Sequence, residues 1–272
     1  MSNTSSEISS SNTCANCGKE GDSLKSSAAC KLVKYCSRDC QASHRPQHKK
    51  ECKRRAAELH DEKLFKQPPP KEDCPICFLS MPILGTGWRY QTCCGKVICS
   101  GCFYSRVYDD QGNEVDHDKC PFCRTLNPAS NEEELLERMK KRVEAGDLIA
   151  IYDLGCNYRD GTDGYPQNYT KALELHHRAA ELGYARAYTN IGTAYYNGEG
   201  VEIDKEKAIH YFELAAMGGD VIARNNLGAT NQNEGNMDRA LKHWMIAVRS
   251  GHNNSVSRIK DLYSNGHAAK ED

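Results

Sequence analysis

Cysteine placement constrains this chain more than any other feature. Fourteen of its fifteen cysteines lie between Cys14 and Cys123, and only Cys156 lies beyond. Most come in pairs two residues apart: Cys14/Cys17, Cys74/Cys77, Cys99/Cys102 and Cys120/Cys123, with Cys93 and Cys94 adjacent. The N-terminal stretch "MSNTSSEISSSNT" has no apolar core of the kind a secretory signal carries. No run of 18 or more apolar residues exists, so no membrane span is expected. The expectation is an intracellular protein, cytoplasmic or nuclear, whose reduced thiols at this spacing act as metal ligands rather than disulfides.

The 272 residues thus read as a multi-domain chain. Residues 1–13 are Ser/Asn/Thr-rich and expected to be disordered. A first Cys/His block spans 14–52, and 53–73 reads as a helical linker closed by Pro68, Pro69 and Pro70. A second cysteine block spans 74–124, and a helical region covers 130–268, with Ser130 and Glu133 spaced as a capping box. Charge is uneven: 1–72 carries 14 Lys/Arg against 9 Asp/Glu, 73–130 carries 5 against 6, and 131–272 carries 17 against 22. That balance does not point to nucleic acid as a partner. The basic run "HKKECKRR" (48–55) reads as a solvated helix face.

The C-terminal half repeats. Gly146, Gly183 and Gly219 recur at 37 and 36 residues, and so do Gly155, Gly192 and Gly228. Ala172, Ala208 and Ala240 recur at 36 and 32, so the third copy is four residues short where "NEGN" replaces a loop such as "NGEGVEID". Asn168, Asp204 and Asn236 fall just before each second helix, where a side-chain oxygen can cap free N–H groups. The period is that of a helix-hairpin solenoid, and "AYTNIGTAYYNGEGVEIDKEKAIHYFELAAMGG" (187–219) resembles the Sel-like repeats, relatives of the tetratricopeptide family. The resemblance implies an all-α solenoid of three repeats and flanking half-repeats that binds peptides or proteins. Lys260 takes the register glycine's place in the last helix, as suits a capping helix. Tyr188, Tyr195, Tyr196 and Tyr211 read as packing residues, His176, His177 and His210 as solvent-facing, and Cys156 as a buried apolar filler.

In the second block, Cys74, Cys77, Cys93, Cys94, Cys99, Cys102, Cys120 and Cys123 supply eight sulfurs, enough for two tetrahedral zincs. Lys96 is then a surface residue, and His117 is an alternative ligand to Cys93. "CPIC", "CCGKVICSGC" and "CPFCR" resemble a RING finger. The resemblance implies interleaved sites, Cys74/Cys77/Cys99/Cys102 and Cys93/Cys94/Cys120/Cys123. It also implies a surface for a ubiquitin-conjugating enzyme at Ile76, Pro121 and Arg124, and hence ubiquitin-ligase activity; a non-enzymatic adaptor is the alternative.

The first block, with "YCSRDCQ" and His48-x-x-x-Cys52, resembles a MYND finger over 14–52. That implies one site of Cys14, Cys17, Cys36 and Cys40, and a second of Cys30, His48 and Cys52. Ser27 stands where the second site's first cysteine is expected, leaving His44 or water as candidate fourth donors, and Arg45 stands in place of the family's tryptophan. The fold class expected is two small zinc-stabilised fingers followed by an α-solenoid, with three to four Zn2+ per chain. The expected partners are a conjugating enzyme, protein substrates and peptide ligands of the MYND finger.

Overall fold

The computed structural model describes residues 12–68, 72–81, 87–105, 107–108, 111–112, 114–115, 119–126, 132–264 and 266. Residues 1–11 of the expected disordered tail (1–13), Pro69 and Pro70, His117 and the Ser130 cap lie outside them. The chain divides into two compact units, Met1–Lys66 and Gln67–Asp272.

In the first unit, β1 (Lys25–Ser26) pairs antiparallel with β2 (Lys34–Tyr35), and α1 (Arg38–Leu64) follows. Ser37 caps α1 by accepting from the Cys40 N–H at 3.2 Å, and Asp39 and Lys63 complement the helix dipole at either end. The helix continues without a break from the first Cys/His block into the expected linker, passing through Pro46. Arg54 pairs with Glu51 and Glu58, and Arg55 with Glu58 and Glu62. Two of the three cations of "CKRR" are therefore neutralised along the helix itself, as exposed i, i+3 and i, i+4 pairs do.

The second unit begins with a finger whose regular structure is small. β3 (Trp88–Gln91) pairs antiparallel with β4 (Lys96–Cys99), α2 (Ser100–Tyr104) follows directly, and β5 (Val107–Tyr108) pairs with β6 (Glu114–Val115). Its core consists of Cys74, Met81, Ile98 and Cys120, with Trp88, Val97 and the remaining cysteines packed around them. A core with so few aliphatic side chains needs a further staple to hold its shape.

Among the described residues eight helices complete the unit: α3 (Glu132–Glu144), α4 (Leu148–Asp160), α5 (Tyr169–Glu181), α6 (Ala185–Asn197), α7 (Lys205–Met217), α8 (Val221–Asn233), α9 (Met237–Arg249) and α10 (Asn254–Ser264). The hairpins α4/α5, α6/α7 and α8/α9 are the three repeats, and 234–236 is the shortened connection. The register glycines now have a physical reason. A Cβ on Gly155 would lie 2.7 Å from the His176 ring, one on Gly192 would lie 2.7 Å from the Phe212 ring, and one on Gly228 would meet the Trp244 indole. His176, Phe212 and Trp244 are themselves spaced 36 and 32 residues apart. Each repeat thus locks an aromatic ring of its second helix against a bare patch of backbone on its first.

Four expectations need correction here. His176 is not solvent-facing: it is 2% exposed because it fills the aromatic position of its repeat. His177 is half-buried against Tyr211, and only His210 is exposed as expected. Tyr188 and Tyr195 stack on Tyr211, but Tyr196 is exposed, with the Lys205 ammonium over its ring. Cys156 is half-buried rather than a core filler, and the Asn190 amide donates to its sulfur. Asn168 and Asp204 cap α5 and α7 through Lys171 N–H and Lys207 N–H, whereas Asn236 makes no side-chain cap and its amide reaches Glu234 instead.

Replacing Gly192 by alanine should destabilise the solenoid by about 1–3 kcal/mol, because the Phe212 ring must move into an already filled layer. Thermal melts followed at a helical wavelength should show the drop, and an unchanged midpoint would refute the register contact. Burial lowers the His176 imidazole to about 4. An unfolded histidine titrates near 6.5, so its contribution is present above that pH and is lost as pH falls toward 4. His176→Phe, which installs the ring found in the next repeat, should flatten this acid loss relative to the parent in denaturant titrations at pH 7 and pH 5.

Candidate metal centres

The two cysteine blocks reuse one backbone device. At Cys14, Cys74 and Cys120 the carbonyl of the first cysteine accepts from the N–H four residues on (Gly18, Phe78, Arg124), at 2.9 Å in each case. The N–H of that cysteine donates at 2.8 Å to the carbonyl five residues on (Lys19, Leu79, Thr125). The fifth residue turns left-handed, with φ of 72°, 58° and 62°. Phe78 and Arg124 accept a conformation uncommon outside glycine because the turn is over-determined on both sides. The result aims the first cysteine and the one three residues later at a common point.

Among the described residues four groups of ligand atoms converge, the atoms of each lying within 4.8 Å of one another: Cys14/Cys17/Cys36/Cys40, Cys30/His48/Cys52, Cys74/Cys77/Cys99/Cys102 and Cys93/Cys94/Cys120/Cys123. The Sγ–Sγ separations run from 3.4 Å (Cys93–Cys123) through 3.6 Å (Cys17–Cys36) and 3.8 Å (Cys77–Cys99) to 3.9 Å (Cys94–Cys120). A disulfide needs about 2.05 Å, and every cysteine is free. A tetrahedron with zinc–sulfur bonds of about 2.3 Å has edges of about 3.8 Å. The donor sets therefore fit zinc. In the second block the groups interleave along the chain, so neither can close unless the other is aligned.

Adjacent Cys93 and Cys94 both reach the same group, and Lys96 points away, exposed, its ammonium 5.8 Å over the Phe122 ring. Cys99 caps α2, its sulfur accepting the Cys102 N–H at 3.3 Å. Cys36 lies just before α1 rather than on it, so only His48 and Cys52 share a helical face. His44 is not in the cluster: its Nδ1 lies 3.0 Å from the Tyr35 hydroxyl and its ring stacks on His48.

Electrostatics prepares single thiolates. Backbone N–H groups of Cys17 and Cys36 bring the Cys14 thiol down to about 6. Burial opposes ionisation of Cys74 and Cys123, but backbone donors at Cys77 and Cys99 for Cys74, and the Thr125 hydroxyl and then its backbone N–H for Cys123, outweigh it and bring both to about 6. Cys36 is pushed up to about 12 by hydrogen bonds with Cys40 and Cys17, and burial pushes up Cys93 and Cys102. A metal ion entering such a group meets one ready thiolate and displaces protons from the rest.

The finger of the second unit is fastened to the solenoid. Arg142 of α3 donates from Nε to the Thr92 carbonyl (3.0 Å) and from Nη2 to the Cys93 carbonyl (2.8 Å). Tyr90 donates to Asp147 Oδ2 at 2.7 Å while Asp147 Oδ1 caps α4 through the Ile149 and Ala150 N–H groups. Burial, then the Asp147 carboxylate, push the Tyr90 hydroxyl well above its usual range. A Cβ on Gly95 would collide with Asp147 and Arg142, so glycine is needed at the point of closest approach. No residue of this clamp stood out in the sequence, because its partners are about 50 positions apart.

Comparison with known proteins accounts for part of the chain. The family model "MYND finger" matches residues 14–52, and "Sel1 repeat" matches 148–184 and 185–220. A putative sel1-like repeat-containing protein of Acanthamoeba polyphaga mimivirus is 28% identical over 145 residues, 51% of this chain and 26% of its own length. E3 ubiquitin-protein ligase DA2 of Arabidopsis thaliana is 36% identical over 73 residues, 27% of this chain and 16% of its own. Protein sel-1 homolog 2 of Homo sapiens is 38% identical over 121 residues, 44% and 17%. The chain thus spans about a quarter or less of these relatives' lengths. A Sel1 repeat protein of Oxalobacter formigenes has a TM-score of 0.49 at 28% identity, covering 52% of this chain and 59% of that one. Among the described residues no helix is long and apolar enough to cross a membrane.

If the Arg142 clamp holds the finger, Arg142→Ala should raise amide hydrogen exchange over residues 90–96 while leaving the α6–α9 amides protected. Equal protection in the two proteins would show that the clamp contributes nothing. The chain carries a zinc-binding MYND finger followed by an all-helical solenoid of Sel1 repeats, both protein-interaction modules.

Proposed function

We propose that residues 74–124 form a RING-type finger and that the chain is a ubiquitin ligase, with the MYND finger and the solenoid holding its substrate. The observation that carries this reading is the interleaved eight-sulfur arrangement. It holds two cysteine turns that carry the expected contact positions, Ile76 third in one turn and Pro121 second and Arg124 fifth in the other. Ile76 is 36% exposed, Arg124 is exposed and Pro121 half-buried, and Phe78, Leu79, Phe122 and Leu126 add exposed apolar surface to the same two turns. Apolar side chains grouped at a rigid edge favour docking of another protein. The similarity to a ligase from Arabidopsis thaliana supports the same assignment.

The chemistry is positioning. Zinc, three to four ions per chain, would supply shape alone: the four-sulfur groups leave no coordination position for a substrate. The finger would hold the thioester of a charged conjugating enzyme in a reactive geometry beside a substrate lysine, a gain of orientation with no covalent intermediate on this chain. Arg124, whose planar fork can bond two carbonyls at once, would bridge enzyme and ubiquitin. The left-handed backbone at Arg124 fixes the direction in which its side chain leaves the turn.

Reconstituted reactions with a panel of conjugating enzymes should yield ubiquitin chains, and Ile76→Ala and Arg124→Ala should each reduce them about tenfold or more, a loss of roughly 1.4 kcal/mol of transition-state positioning. Chain formation that never exceeds background across the panel, while partners still bind the solenoid, would instead make this a zinc-finger adaptor.

A further inference from the structure

The turn that presents cysteines at 14, 74 and 120 is built a fourth time, and there its first residue is a serine. The Ser27 carbonyl accepts from the N–H of Lys31, four residues on, at 3.0 Å. Lys31 turns left-handed with φ of 56°. The Ser27 N–H donates at 2.8 Å to the Val33 carbonyl, six residues on and so one residue further than in the other three turns, and Cys30 follows three residues after Ser27, as Cys17 follows Cys14. Ser27 therefore occupies the position that a first ligand takes in the three other turns.

Its side chain is placed accordingly. Ser27 is 5% exposed and Cys30 1% exposed. The Ser27 hydroxyl lies within hydrogen-bonding reach of both the Cys30 and Cys52 thiols. Cys30 Sγ lies 3.1 Å from His48 Nε2, and the three ligand atoms of Cys30, His48 and Cys52 lie within 4.8 Å of one another. His44, the other side chain that could have supplied a nitrogen, is turned to Tyr35. Two thiolates and an imidazole thus define three corners, and the backbone presents this buried hydroxyl beside them.

We propose that this site binds zinc through Cys30, His48 and Cys52 with the Ser27 hydroxyl as an oxygen donor at the fourth corner, and that it is the chain's exchangeable zinc position. A neutral hydroxyl donates weakly to zinc beside thiolate, imidazole and carboxylate, the usual ligands. The ion is held by three strong bonds and one replaceable one, so an incoming ligand can enter at the oxygen corner without first breaking a thiolate bond. The three all-cysteine groups have no such entrance. Backbone hydrogen bonds at Ser27 keep the turn formed while the ion exchanges, so the finger need not unfold to release it.

The test uses the full-length, reduced, zinc-loaded protein and a colour-forming chelator in excess. Four zincs should be released in two phases, one ion leaving at least about tenfold faster than the other three, the scale by which altered ligand support changes zinc affinity. Cys30→Ser should remove the fast phase and lower the total to three, assigning it to this site. Ser27→Cys should keep four zincs and merge the fast phase into the slow one. With Co2+ in place of zinc, it should gain sulfur-to-metal charge-transfer absorption in the fourth equivalent. Ser27→Ala should release the fast ion faster still or fail to retain it; release identical to the parent would overturn the hydroxyl's role. Uniform slow release of all four ions would overturn the proposal, as would a parent protein that holds only three. Circular dichroism of α1 and the solenoid, unchanged across the variants, separates loss of a ligand from loss of the fold.

Discussion

The convergence of sulfurs onto shared points is the constraint on which the rest of this chain depends. The second finger's buried aliphatic core is little more than Met81 and Ile98, too little to order some fifty residues against their conformational entropy. Thiolates at the corners of a zinc tetrahedron would supply the missing staple, and metal binding and folding of such a domain would become one equilibrium. Interleaving the two groups makes the finger a single cooperative object, in which each turn is aligned by ligands distant in sequence.

That rigidity is carried into the solenoid. Arg142 bonds the carbonyl of a cysteine that is itself in a sulfur cluster, and Asp147 uses one oxygen to cap a helix and the other to hold Tyr90. Finger and repeats then share hydrogen bonds. Within the repeats the same economy holds: one glycine and one aromatic ring per hairpin set the helix spacing, and the ring can be histidine, phenylalanine or tryptophan because what matters is a flat face against bare backbone.

The legible parts of this architecture were those written in local spacing. Cysteine pairs, the 36-residue glycine period and the four-residue deletion are all fixed distances along the chain, and they found the MYND finger, the cysteine groups, the hairpins and the shortened loop. What stayed hidden depends on contacts that spacing does not encode. His176 looked like a polar surface residue, and only its place opposite Gly155 shows it to be the first repeat's counterpart of Phe212 and Trp244. Asn236 had the chemistry of a cap but sits after a connection too short to orient it. The clamp of Arg142, Tyr90 and Asp147 is assembled from segments with no common pattern. Ser27 was visible as a departure; its meaning needed the backbone carbonyl bond and left-handed fifth residue that its turn shares with three others.

The most direct test of the account is intact mass measured twice on reduced protein, under native and then under denaturing conditions. The account predicts a native mass three or four zinc ions above the polypeptide, all of them lost on denaturation, with every one of the fifteen thiols then open to alkylation. A folded native species at the bare polypeptide mass, or a denatured one lighter by the hydrogens lost to disulfides, would contradict it.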